Sequence, residues 1–415
     1  MPTDSTTADL DSVDLTDLDL FAEGPPHKLF ARMREEAPVH WNRSADGVNF
    51  WSLTRGEDIE AVSKDPQTFS SAQGGVFIRG DALAPLEESR NFVIFKDPPE
   101  HTVYREIVAK AFLPRTLGYI DGAIRESVAH TLDRVVERGE CDLARDIADH
   151  IPLRVIARLF GDPDEDLSQL STWSADTERG IAESTDTTDI FKRMAAHFVA
   201  LVDSQLVHGV DSLAKSVSEA EVDGRRLTEE EIAFYFGMLL YGGHGPTRNA
   251  ISVGMLTLME NPDQFELLRK EPSRLRCTQS GIAPPAVEEV LRWSSPVNYF
   301  ARTATKNTTI HGVDIKAGDH VVMWYASASR DPAVFPRADT FDIRRPRSNV
   351  AHYAFGGGGP HFCQGAILAR KMVSVALQEI IKRLPNIERS GNAGWGPSTF
   401  INSLTSLPVK FTASA

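Results

Sequence analysis

Apolar positions along this chain follow two periods, and the switches between them sketch the fold. From Pro25 to Pro38, "PPHKLFARMREEAP" spaces its apolar residues three and four apart behind two prolines, which predicts a helix. "VHWNRSADGVNFWSLTR" alternates around a turn-like "ADG" and predicts a hairpin. Residues 70–96 mix apolar residues without a period, and so long an irregular stretch is usually functional or disordered. Helical spacing dominates from Glu100 to Ala283, in "HTVYREIVAKAFLP", "IRESVAHTLDRVVERG" and "LSQLSTWSADTERGIAE". Short strands return late, in "NYFARTATKN", "TTIHGVDIKAGDHVVMWYASAS" and "PVKFTA". The pattern predicts a mainly α protein with small β-sheets. It is expected to form one domain over residues 19–415, behind an acidic disordered lead-in of residues 1–18.

One helix stands apart. Thr228 and Glu231 form a T-x-x-E capping box at its start, and the residues beyond are apolar all round, which places it centrally. Yet its middle reads "MLLYGGHGPTRNAISVGM". Gly242, Gly243 and Gly245 each cost a helix roughly 1 kcal/mol relative to alanine, and Pro246 about 3.

With 415 residues, 41 % of them hydrophobic, the chain is long enough for a large core. The net charge of −14, from 44 basic and 58 acidic residues, argues against general attraction to nucleic acid or anionic membrane. No apolar run approaches the ~18–20 residues that span a bilayer. Cys141, Cys277 and Cys363 are far apart and odd in number, which suits a reducing cytoplasm and shows neither a disulfide framework nor zinc spacing.

The cysteine at 363 sits in "HYAFGGGGPHFCQGAILARKMVSVALQEIIKRL", where glycines run into Pro360, His361, Phe362, Cys363, Gln364 and Gly365 before an amphipathic helix. A helix N-terminus favours a thiolate. The residues alone leave four readings open. They are a buried free cysteine, a phosphate-cradling loop that lacks its Lys-Ser/Thr, a nucleophile with His361 as base, and an axial thiolate for heme iron.

"FGGGGPHFCQG" resembles the heme-binding signature of the cytochrome P450 superfamily: an aromatic at Phe355, a glycine-rich turn, a basic residue, then the ligand cysteine. Other motifs similar to that family's occur in order across nearly the whole chain. "EEVLR" supplies the pair Glu289 and Arg292, and "FDIRR" supplies Arg345. The resemblance implies a buried structural network behind the heme from these three. It further implies a triangular-prism helical bundle around heme b (iron protoporphyrin IX), with the Cys363 thiolate on iron and Phe355 and Gly365 beside it. His101 and Arg105 in "DPPEHTVYREIV", Arg302 in "FARTAT", His352 in "HYAFG" and His361 are implied as partners of the two propionates. Eight positions separate Phe355 from Cys363, one more than in the family's commonest pattern. That longer loop, with the "RN" of "PTRNAIS", is similar to bacterial members acting on sterols and methyl-branched lipids.

In this family the central helix passes over the distal face of the heme. Its usual order there is two small residues, a variable one, an acid and a threonine that manage protons, then threonine or serine. Here Gly242 and Gly243 keep the space and His244 is the variable position. Gly245 stands where the acid would be and Pro246 where the threonine would be; Thr247 is one residue on, rotated by about 100°. Three explanations follow. Protons could arrive through water at a proline kink, with Thr247 or His244 assisting an ordinary monooxygenase. The enzyme could instead use peroxide, or cleave a substrate N–O bond for nitrene-like transfer or cyclisation without dioxygen. Or the heme could support rearrangement, dehydration or binding only, and a heme-binding sensor without turnover is a further alternative.

The resemblance also implies an oxidative tailoring enzyme of bacterial secondary metabolism, monomeric and cytoplasmic. Its small, largely apolar substrate would be prenylated, terpenoid or lipid-like. Val76, Phe77, Val297, Phe300 and Ile401 would form the pocket, and Asn298, Tyr299 and His244 would place a polar group. A monooxygenase needs electrons from a ferredoxin and ferredoxin reductase, docked on a local patch of Arg344, Arg347, Arg370 and Lys371.

Overall fold

A computed structural model describes residues 9–413, apart from 80–85, 110–113, 162–166, 184, 209–211, 223 and 347–351. The first expected helix spans His27–Glu36, and the hairpin pairs strands Val39–Asn42 and Phe50–Leu53. These strands open a five-stranded sheet that continues through His320–Trp324 and Tyr299–Ala304 to Phe69–Ser70. The step from Phe50–Leu53 to His320–Trp324 is parallel, and the other pairings are antiparallel. Four smaller sheets of two or three strands complete the β content among the described residues. No helix among the described residues is long and apolar enough to cross a membrane.

The acidic start differs from expectation. From residue 9 it packs: Leu15 is fully buried and its N–H donates to Asn42 Oδ1 at 2.9 Å. Leu10 and Leu15 are buried and Leu18 and Leu20 half-buried, while Asp9, Asp11, Asp17 and Asp19 stay exposed; Asp9 and Asp17 cap two short 3₁₀ turns.

The central helix runs from Glu229 to Glu260 with Pro246 inside it. Its capping box is formed: Thr228 Oγ1 accepts from the Glu231 N–H at 3.2 Å, and Glu231 Oε2 accepts from the Thr228 N–H at 2.8 Å. Two large apolar clusters share this helix. Phe236, Leu240 and Tyr241 belong to one, with Phe77, Phe92, Phe191 and Phe400. Ala250, Ile251, Met255 and Leu258 belong to the other, with Val290, Met372 and Leu377. The glycine and proline stretch therefore lies at the seam between the clusters. A fully buried large apolar side chain contributes about 1.5–3 kcal/mol, so the flanks outweigh the poor helix formers between them. The helix is not broken at Pro246; proline simply leaves the Gly242 carbonyl without its helical N–H donor.

Candidate active site

Cys363 is placed by the geometry of its loop. A 3₁₀ turn at Tyr353–Phe355 feeds the glycines, and the Cys363 N–H donates back to the Phe355 carbonyl at 3.0 Å. Gly359 has φ +71°, and a Cβ there would run into the Ser63 carbonyl, so the loop passes a neighbouring helix at a distance only glycine allows. The helix Ala366–Arg383 starts just beyond. The Cys363 side chain is open to the cavity yet set back from bulk solvent, which pushes its thiol up, while the Gly365 N–H and the charges of Arg105 and Arg370 act the other way. Cys363 faces an internal cavity shared with Phe355, Gly365 and the central helix.

Four basic residues stand on this cavity: His101 and Arg105 from the Glu100–Ala109 helix, Arg302 from the sheet, and His361 from the cysteine loop. The His101 and His361 rings lie 4.1 Å apart, and His361 Nε2 is 3.1 Å from Ser71 Oγ. Arg302 is 5 % exposed, and its Nη1 donates to the Ala301 carbonyl at 2.6 Å. Arg105 donates to the Phe362 carbonyl. His101 Nδ1 is buried without a partner among the described residues. Burial, with Arg105 and Arg302 nearby, lowers His101 to about 4, and burial also depresses His361 and Arg302. Among the described residues none of the four forms an ion pair. A largely buried corner of basic side chains, with Asp97 nearby but tied to Ser70 and Ser71, fits two propionate anions, and a thiol that shares its cavity with small helix residues would suit an iron ligand. The residues present thus suit heme b.

His352 is not part of that corner. Its Nε2–H donates to Glu288 Oε2 at 2.7 Å, and its Nδ1 accepts from the Ala354 N–H. Arg370 donates to the same Glu288 carboxylate at 2.7 Å and lies over the Phe355 ring, 4.3 Å from its centroid. Burial alone would raise Glu288, but hydrogen bonds from His352 and Arg370 bring it down to about 2. This assignment corrects the implied propionate role of His352. Arg370 is therefore turned inward, and so is Lys371, whose Nζ is paired with Asp121 at 2.7 Å. Of the suggested docking patch only Arg344 stays exposed; Arg347 lies outside the described residues.

Glu289, Arg292 and Arg345 are brought together. Arg292 makes two 2.8 Å bonds to the Glu289 carboxylate, and Arg345 Nε adds a third at 2.9 Å. All three are buried, and Arg292 also donates to the Ser329 and Ala338 carbonyls.

Above the cavity the central helix presents Gly242, Gly243, Pro246 and Thr247. A Cβ at Gly242 would meet nothing within 4 Å, so the wall is open there. His244 and Gly245 face away. His244 Nδ1 accepts from the Ser174 hydroxyl at 2.6 Å, and its Nε2–H lies 3.1 Å from Asp149 Oδ1. The histidine expected to assist protons or hold substrate is instead a tether to neighbouring segments. One turn on, Arg248 donates to Glu178 at 2.8 Å and lies 3.6 Å from Asp149. The Ser403 hydroxyl donates to the same Glu178 at 2.6 Å. Sequence reasoning missed this network; its one signal was a charged residue, Arg248, in the middle of the central helix.

Val76, Phe77, Val297 and Phe300 line the cavity, joined by Val93, Ile94, Met238, Leu239 and Phe400. Asn298, Tyr299 and Ile401 do not. Asn298 Nδ2 donates to the Thr399 carbonyl at 3.1 Å, and the Tyr299 hydroxyl accepts from the Ile78 N–H at 3.3 Å. Ile401 bridges to Val297 through the backbone and packs behind Gly245. Strict alternation along "PVNYF" would put Val297 on the side of Tyr299. The strand begins only at Tyr299, so the irregular lead-in lets Val297 and Phe300 share the cavity instead.

The family model for cytochrome P450 matches residues 182–385. The chain is 32 % identical to a steroid C26-monooxygenase of Rhodococcus jostii over 97 % of its own length and 85 % of that protein. It is 34 % identical to a methyl-branched lipid omega-hydroxylase of Mycobacterium tuberculosis, covering 92 % of this chain and 90 % of the other. Among solved structures, a Mycobacterium marinum cytochrome P450 in complex with pseudoionone superposes with a TM-score of 0.86 at 29 % identity, over 97 % of this chain and 99 % of that one.

Proposed function

This chain belongs to the cytochrome P450 family, and on that premise we propose that it inserts oxygen into a C–H bond of a small, largely apolar substrate. Coarsely, it is a heme-thiolate oxidoreductase related to steroid and lipid hydroxylases. The finer reading is a terpenoid, prenylated or lipid-like substrate in bacterial secondary metabolism, with electrons from a ferredoxin. One observation supports oxygen insertion into an apolar substrate: Cys363 and the open Gly242 surface of the central helix line one cavity, together with Val76, Phe77, Val297, Phe300 and Phe400. Heme held through Cys363 supplies the redox centre for oxygen insertion. His101, Arg105, Arg302 and His361 hold its carboxylates. Phe77, Val297, Phe300 and Phe400 orient the substrate and exclude water.

Pro246 favours a second reading. It lines the cavity where the family's hydroxyl stands, and it donates no hydrogen bond. Chemistry independent of dioxygen, using peroxide or a substrate N–O bond, needs no such donor. Turnover with NADPH, ferredoxin and its reductase under air, compared with strict anaerobiosis, separates the two. Product only under air, with one oxygen atom from labelled dioxygen, is the expected result. Product without air or reductant overturns the oxygen-insertion reading, and a purified protein without heme overturns both.

A further inference from the structure

Phe191 belongs to two spaces at once. From the helix Thr188–His208 it lines the active-site cavity, together with Gly237 and Met238 of the central helix. It also lines a second cleft, set between the same helix and the start of the central helix, whose other apolar residues are Ala196, Val199, Ala200, Ala233 and Phe234. Of the residues that line this cleft, Phe191 alone also lines the cavity. Ala196 and Ala200 are exposed, so the cleft opens on solvent.

The ring between the two spaces is firmly seated. Phe191 is 1 % exposed. It meets Phe92 edge-on with centroids 4.9 Å apart, and Phe234 at 5.6 Å. A Cβ built on Gly237 would lie 2.3 Å from two of its ring carbons, so the ring rests in a place that only glycine on the central helix leaves open.

We propose that Phe191 is a specificity-determining partition: it sets the greatest length of substrate the cavity accepts, and the cleft behind it is the space a longer chain would need. This rests on the apolar-substrate reading above. A chain that stops short of the ring gains affinity with every methylene it buries. A chain that reaches the ring has to stop there or displace an aromatic packed on Phe92, Phe234 and Gly237, and overpacking of that kind is unfavourable. The two effects together select for length.

The test measures dissociation constants of the heme-loaded protein for linear methyl ketones of increasing chain length, by calorimetry. In wild type, affinity should rise ~4-fold with each added methylene, reach a limit and then fall. In Phe191→Ala the rise should continue for about two to four further methylenes, the apolar bulk of the ring removed. Phe191→Leu makes a smaller opening and should extend the limit by less, which keeps the test available if Phe191→Ala loads heme poorly. Adding Ala196→Trp, which fills the cleft from its exposed side, should return the limit of Phe191→Ala to that of wild type, and Ala196→Trp alone should leave it unmoved. The carbon-monoxide Soret band should be the same in every variant. An unmoved limit in both Phe191 variants overturns the proposal. So does an extended limit that survives Ala196→Trp, which would mean general loosening, or a limit shifted by Ala196→Trp alone, which would mean that the cleft already belongs to the cavity. Wild type that binds none of the ketones fails the apolar-substrate reading, and the partition falls with it; a wild-type limit that no Phe191 variant moves removes the partition alone.

Discussion

His244 Nδ1 lies 2.6 Å from the hydroxyl of Ser174, a residue on a different helix, and so the central helix turns its histidine away from the cavity it roofs. Replacing His244 by alanine leaves Ser174 and Asp149 short of a partner inside the protein. A loss of ~2–4 kcal/mol is expected, seen as a lower denaturation midpoint. The carbon-monoxide Soret band and the apolar-ligand affinity should persist. Loss of turnover in a variant of unchanged stability would return His244 to the chemistry.

The buried Glu289 carboxylate receives both Arg292 and Arg345. Glu289→Gln removes the charge that compensates two buried guanidiniums, at a cost of about 3–5 kcal/mol. The expected outcome is a low yield of heme-loaded protein and a marked fall in the urea midpoint. A variant with wild-type stability would mean that the network is not needed by the fold.

Arg302 and His352 should separate cleanly. Arg302→Ala takes a charged donor from the corner proposed to hold the propionates, worth ~1.5–3 kcal/mol, and should speed heme transfer to apomyoglobin by roughly 10–100-fold. His352→Ala breaks a bond to Glu288 and should lower stability with little direct effect on the propionates. Equal acceleration by both would restore His352 to the corner.

Acid should act through Glu288, whose carboxyl is brought from the ordinary 4.5 down to about 2. A depressed carboxyl adds stability that is complete above its unfolded value and disappears as pH falls through its folded one. Part of the protein's stability is therefore expected to fade between about pH 4.5 and 2. Urea midpoints measured down this range should fall more steeply for wild type than for Glu288→Gln. Equal slopes would show that Glu288 is not a source of the acid sensitivity.

The hairpin, the capping box and the cysteine loop were legible because each is decided by neighbours in sequence. "ADG" between alternating residues, Thr228 with Glu231, and glycines ahead of Cys363 carry their own local physics. The E-x-x-R pair was legible too, since three residues along a helix place both side chains on one face. What failed was orientation. One residue turns a helix by about 100°, so whether His244 or Pro246 faces the cavity depends on what surrounds the helix. His352 and His361 flank the same glycines, and only tertiary contacts assign one to Glu288 and the other to Ser71. Asp149, Glu178 and Ser403 come from three distant segments, and no spacing links them to Arg248. The acidic start was misjudged because its carboxylates hid two leucines, Leu10 and Leu15, that the rest of the fold buries.

Arg248 holds Glu178 in one segment and approaches Asp149 in another, while Ser403 fastens the same glutamate from near the C-terminus. A bulky guest cannot enter by swinging that end of the Ser168–Glu183 helix aside without first parting a shielded charge pair.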